Sequence, residues 1–135
     1  MIGLNIINSS FKYNVNKLIN LGSACIYPKK TNQPIKESAL LSSYLEETNE
    51  GYALAKILSL KYSQHLKRKY KKEFISLMPA NLYGRGDNFN LKSSHVLPAL
   101  VKKFTLAKIK KIPQVEVWGS GKVKREFLNV EDLSS

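Results

Sequence analysis

Acidic residues are scarce in this chain: 10 Asp and Glu stand against 22 Lys and Arg, so its 135 residues carry a formal charge of +12 at pH 7. Cysteine is scarcer still. Cys25 is alone, which excludes an intramolecular disulfide, and with only His65 and His95 beside it there is no zinc-ligand cluster, so no metal site is expected. The expected setting is reducing and intracellular. No apolar run approaches the ~20 residues that span a bilayer. The opening stretch, MIGLNIINSSFKYNVNK, lacks the basic n-region, continuous apolar run and small-residue cleavage site of a secretory signal. A soluble, cytoplasmic protein with no membrane partner is the expectation.

What is present has the make-up of a globular domain. With 43% hydrophobic, 10% aromatic and 24% charged residues, the chain lies away from the low-hydrophobicity, high-charge corner of disorder. Its length is room for one domain, residues 1–135, provided the segment is a whole folding unit. The basic excess admits either a nucleic-acid face or a site for small anions. Its densest run, Lys67 to Lys72, closes a predicted helix, where cations complement the negative end of the macrodipole. Lys102, Lys103 and Lys108 to Lys111 decorate an amphipathic segment, and no helix-turn-helix, zinc-finger or RNA-recognition signature accompanies them. No nucleic-acid partner is expected.

Periodicity predicts a helix over residues 2–13 with Leu4, Ile6, Ile7 and Phe11 near one face, then a buried strand over Leu18 to Leu21. Pro28 to Asn49 carries two prolines and no sustained period, the mark of a long loop, and loops of that length are usually functional. Thr48 is placed to cap a long helix that runs to about Tyr70 through Ala53, Ala55, Ile57, Leu58, Leu60 and Leu66. Phe74 to Met78 reads as a second strand stopped by Pro79, residues 80–86 as a turn-rich exit, Ser94 to Lys108 as a third helix, and Val115 to Trp118 as a short strand. Strands alternating with helices imply an α/β fold with a helix-covered parallel sheet.

In open α/β sheets, ligands sit beyond the carboxyl ends of the strands. The first strand exits through Gly22-Ser23-Ala24-Cys25-Ile26-Tyr27-Pro28 and the second through Pro79-Ala80-Asn81-Leu82-Tyr83-Gly84. Both are polar enough to bind and ordinary enough to be turns. Tyr52 and Lys56 are four apart on the long helix, hence on one face, where a cation beside a phenol makes it a better proton donor. Composition supplies roughly one such Tyr-basic pair by chance, and Tyr13 with Lys17 is a second. Position separates them: Tyr52 opens a helix downstream of a strand that delivers Ser23.

These segments, with Thr48 to Lys56, Ser94-His95-Val96-Leu97-Pro98-Ala99-Leu100, Val117-Trp118-Gly119-Ser120-Gly121 and Arg125-Glu126-Phe127-Leu128, together resemble the GDP-L-fucose synthase family. These are epimerase-reductases among the extended short-chain dehydrogenases, within the NAD-dependent epimerase/dehydratase family. The likeness runs in order over nearly the whole chain. The Ser, Tyr and Lys set marks only the superfamily, whereas Cys25, His95 and the Trp118 motif mark the fucose enzymes.

The resemblance implies a partial Rossmann-type parallel sheet with covering helices, NADP(H) as cofactor, a GDP-sugar substrate and a homodimer in the complete enzyme. It implies that Ser23, Tyr52 and Lys56 form a reductase triad, and that Cys25 and His95 form the acid/base pair that epimerises C3 and C5. Leu21, Gly22, Ser23, Ala24, Tyr52, Lys56, Pro79, Ala80, Asn81, Leu82 and His95 match cofactor-lining positions, and Lys103, Trp118 and Arg125 match substrate-holding ones. Taken singly, Cys25 reads as a buried small apolar residue, His95 as a helix cap or surface residue, Trp118 as core and Arg125 as solvated. The ordered coincidence outweighs those readings for the family, less so for activity.

The chain departs from the pattern at Ala24, Gly51 and Ala80, and contains no G-x-x-G-x-x-G turn. It is accordingly expected to be an internal fragment, lacking the opening βαβ unit and the C-terminal substrate-binding elements, and inactive by itself. The alternatives are another nucleotide-sugar epimerase or dehydratase, and a non-catalytic binding or dimer-interface remnant.

Overall fold

The computed structural model describes residues 2–135. The chain forms two compact units that meet in sequence at Pro79 and Ala80. The first holds helix α1 (Ile2–Lys12), strand β1 (Lys17–Leu21), helix α2 (Glu50–Tyr70) and strand β2 (Glu73–Leu77). β1 and β2 pair in parallel, Leu18 opposite Phe74 and Leu21 opposite Leu77. Such strands need a long crossover, and residues 22–72 supply it.

Alternation decides which face is covered. Leu18 and Phe74 turn toward α1 and α2, where buried Ile7, Leu66 and Phe74 form a cluster edged by Phe11, Leu18 and Tyr62. Removing the side chain at the centre of such a cluster typically costs about 2–5 kcal/mol. The opposite face presents Ile19, Leu21, Ile75 and Leu77 to solvent. A second cluster, Ile26, Ile57 and Leu60, joins α2 to Tyr27 and to Leu40 and Leu45 of the expected long loop. That loop is irregular except for short 3-10 turns, and it closes on itself through the Lys29–Glu46 ion pair at 3.0 Å and the Lys29 N–H donating to Tyr44 O at 3.0 Å. Burial and the nearby Glu37 carboxylate push the Tyr27 phenol above its ordinary range.

The second unit holds β3 (Asn81–Tyr83), α3 (Val96–Ile109), β4 (Phe127–Asn129) and the short α4 (Val130–Ser134). β3 and β4 pair in parallel, with Asn81 opposite Phe127. Pro98 is buried in the first turn of α3, where a missing N–H costs no helical bond. Among the described residues no helix is long and apolar enough to cross a membrane.

Three local expectations are corrected. Thr48 is not a cap: it lies within a 3-10 turn (Glu47–Asn49), Asn49 holds the cap position, and no side chain bonds there. The stretch 80–86 is not all turn, because Asn81–Tyr83 finds a ladder partner in β4. Val115 to Trp118 is not a strand. Its alternation suits one, but the carbonyl of Glu116 is taken by Lys103 Nζ at 3.1 Å and the parallel partner of β3 comes instead from Phe127–Asn129.

Candidate active site

In the first unit, the carboxyl end of β1 and the start of α2 meet through one bond: Lys56 Nζ donates to Leu21 O at 2.8 Å. A lysine in the second turn of a helix reaches a strand exit only if the helix begins beside it. Helical spacing puts Tyr52 next to Lys56, the ammonium lying 5.7 Å from the phenol ring centroid. Tyr52 is 51% exposed, open to a ligand rather than packed away. Two residues beyond Leu21, Ser23 caps a 3-10 turn (Ala24–Ile26) by accepting from the Cys25 N–H at 3.3 Å, and Cys25 is exposed. The apolar-core reading of Cys25 is thereby corrected: the 3-10 turn buries Ile26 and leaves the thiol outside.

Gly22 supports this exit. Its N–H continues the ladder to Leu77 O at 2.7 Å, and a Cβ at Gly22 would lie 2.2 Å from Met78 Sδ and 3.1 Å from Leu77 O. The two strand exits therefore press backbone against side chain, and Asn20 and Ser76, joined at 3.1 Å, brace them one pair earlier. Neither Met78 nor the Asn20–Ser76 pair was singled out from the sequence. A polar residue at matching positions of two predicted strands was the available signal. A cleft of about 590 Å³ opens along β1, with Leu21, Tyr52 and Lys56 among its lining residues.

In the second unit, Lys103 Nζ lies 4.8 Å from the Trp118 ring centroid, and Trp118 is 81% exposed, a platform rather than core. Cation and ring are favourably placed on each other, and both stay open to a ligand. His95 holds the cap position of α3 without a capping bond from its side chain and is exposed; beside it the Ser94 hydroxyl is buried without a partner. Arg125 is exposed, its guanidinium bonded only to the neighbouring Lys124 O at 3.0 Å. Asn81 is held by Glu126 O through both its side chain (3.0 Å) and its N–H (3.3 Å), and Ala80 and Leu82 are half-buried, as is Pro79 at the end of the first unit. Of the residues expected to act together, the geometry joins Leu21, Tyr52 and Lys56 in one unit and Lys103 with Trp118 in the other. Among the described residues no group of His, Cys, Asp and Glu is placed to hold a metal ion.

Parallel strands with helical crossovers, and a Tyr-Lys pair at a strand's carboxyl end, define a Rossmann-type α/β protein. The chain belongs to the NAD dependent epimerase/dehydratase family, whose model matches residues 1–135. It is 50% identical over all its residues to the GDP-L-fucose synthase of Escherichia coli, covering 42% of that protein. It is 51% identical to GDP-L-fucose synthase 1 of Arabidopsis thaliana over 98% of its own length and 41% of the relative's. Among solved structures, a GDP-L-fucose synthetase from Naegleria fowleri bound to NADP superposes with a TM-score of 0.84 at 32% identity, over 98% of this chain and 44% of that one. The chain thus spans about two fifths of the curated relatives it matches.

Proposed function

We propose that these 135 residues carry the catalytic side chains of an epimerase-reductase of the GDP-L-fucose synthase type, acting on GDP-4-keto-6-deoxymannose with NADP(H) in a cytoplasmic homodimer. The observation that carries the reading is the Lys56–Leu21 bond, which sets Tyr52 at the exit that bears Ser23. Identity of 50% over the whole chain to the GDP-L-fucose synthase of Escherichia coli supports this substrate class.

The exposed Tyr52 phenol, the Lys56 ammonium and the open cleft suit the nicotinamide half of NADPH, whereas no glycine-rich turn for the pyrophosphate is encoded in these residues. When bound, the cofactor supplies the hydride for C4 of the sugar. Tyr52 gives its phenolic proton to the C4 oxygen as that bond forms, and Ser23 donates a hydrogen bond that orients the carbonyl. Lys56, leaving Leu21 O for a ribose hydroxyl, keeps positive charge beside the phenolate. C3 and C5 flank the carbonyl, which acidifies their protons, so Cys25 and His95 suffice as base and acid. Lys103, Trp118 and Arg125 hold the GDP-sugar, and the remaining positions expected from the sequence line the cofactor.

The test is a replacement. Substituting these 135 residues for the matched stretch of the Escherichia coli enzyme should give a protein that oxidises NADPH in the presence of GDP-4-keto-6-deoxymannose. Tyr52→Phe should then lower the rate by at least ~10²-fold, the usual worth of a positioned acid. A folded, NADPH-binding replacement with no turnover would overturn the reading.

A further inference from the structure

In the second unit, the segment between β3 and α3 leads to His95 and is held by hydrogen bonds rather than by burial. Its large apolar side chains stay largely outside, Phe89 41% and Leu91 45% exposed, so apolar packing does not fix its path. Asn88 supplies much of what does. Its Nδ2 donates to Ser93 O at 3.3 Å and to Ser93 Oγ at 3.1 Å, and its Oδ1 accepts from the Asn90 N–H at 2.9 Å. Asn90 O in turn accepts from the N–H groups of Ser93 at 3.0 Å and Ser94 at 2.7 Å. Residues 88–94 are thus closed into a ring with one side chain across it, and the next residue is His95.

We propose that Asn88 is a positioning residue for His95: its side-chain amide fixes the backbone that presents the imidazole for proton transfer. The inference rests on the acid/base role proposed for His95. The His95 side chain makes no capping bond and is exposed, so its place depends on the backbone that carries it. On the C-terminal side that backbone is held by α3, where His95 O accepts from the Ala99 N–H at 3.0 Å. On the N-terminal side it is held by the ring that Asn88 spans. Removing the Asn88 amide unties the two ends of that ring and leaves α3 intact.

Loss of these bonds acts on folding and on chemistry to different extents. They are exposed and join neutral groups, so water replaces them at small cost to the fold. Proton transfer is less forgiving. An acid or base must come within about 2.6–3.2 Å of its partner, and a displacement of about 1 Å can slow a reaction ~10²-fold. A substitution at Asn88 therefore falls on turnover rather than on stability or substrate binding. Asp at this position separates the two halves of the amide, because a carboxylate still accepts from the Asn90 N–H but cannot donate to Ser93 O.

The measurement is solvent deuterium entry at C3 and C5 of GDP-4-keto-6-deoxymannose in the Escherichia coli replacement protein, with NADP⁺ present so that no reduction follows. Asn88→Ala and Asn88→Asp should each lower the saturated rate at least ~10-fold while the half-saturating substrate concentration stays within about 2-fold. His95→Gln should lower the rate at least as far. Adding Asn88→Ala to His95→Gln should then change it by less than about 2-fold, since a residue that acts through another has nothing left to act on. Asn88→Asp carries the test if Asn88→Ala does not fold. A full rate in either Asn88 variant beside a slow His95→Gln, a rise in half-saturation alone, or losses that multiply in the double variant would overturn the proposal. A full rate in His95→Gln would overturn the acid/base pair itself, and this inference with it.

Discussion

At Gly22 a side chain has no room: its Cβ would meet Met78 Sδ at 2.2 Å and the fixed carbonyl of Leu77 at 3.1 Å. Gly22→Ala should therefore destabilise the chain by about 1–3 kcal/mol, as overpacking does. Adding Met78→Ala should recover only part, because Leu77 O stays; urea midpoints of the three variants check this. The Lys29–Glu46 pair makes a pH prediction. Lys29 holds the Glu46 carboxyl below its ordinary 4.5. A depressed carboxyl stabilises the fold above its unfolded value and loses that contribution as pH falls through the folded one. Relative to an unstructured peptide cut by the same pepsin at each pH, cleavage within Pro28–Asn49 should thus rise as pH drops below about 4.5, and Lys29→Met should show no such relative rise. Tyr52 and Lys56 were legible as a spacing. The bond from Lys56 to Leu21 was not, since a carbonyl acceptor leaves no mark in side-chain patterns.

Among the elements, α2 shows what periodicity reads well and where it stops: Ala53, Ile57, Leu60 and Leu66 are buried while Ala55 is half-buried and Leu58 exposed, and the helix ends at Tyr70 as expected. Its last turn carries Lys67, Arg68 and Lys69, and Lys71 closes it in the left-handed region at φ 58°. A non-glycine residue there is strained, so Lys71→Gly should raise stability by about 0.5–1 kcal/mol, seen as a higher urea midpoint. Gln at Lys67, Lys69 and Lys71 together should leave NADPH and substrate constants of the Escherichia coli replacement protein nearly unchanged. Those side chains are exposed, and salt screens exposed charges beyond about 8 Å. Strands were less legible than helices. Asn81–Tyr83 and Phe127–Asn129 exist because they pair with each other across more than forty residues. Val115 to Trp118, with the better alternation, has no ladder partner, and no local pattern encodes that difference.

For the whole molecule, area is the telling quantity. The chain exposes 10855 Å², against about 7,100 Å² for a compact monomer of its mass, or about 8,600 Å² if it is counted as two separate compact halves. Unburied apolar groups such as Ile19, Leu21, Ile75, Leu77 and Phe104 contribute to that excess. A surface so incompletely covered accords with a chain that spans two fifths of its relatives, and the purified 135-residue chain should show no saturable micromolar binding of NADPH by fluorescence. The central claim is that reduction at C4 and proton exchange at C3 and C5 depend on different residues of this chain, Tyr52 for the first and Cys25 for the second. It is tested most directly in the Escherichia coli replacement protein by following NADPH oxidation together with solvent deuterium uptake at C3 and C5, by mass spectrometry. Tyr52→Phe should stop oxidation while deuterium still enters, and Cys25→Ser should stop deuterium entry; loss of both signals in both variants would contradict the account.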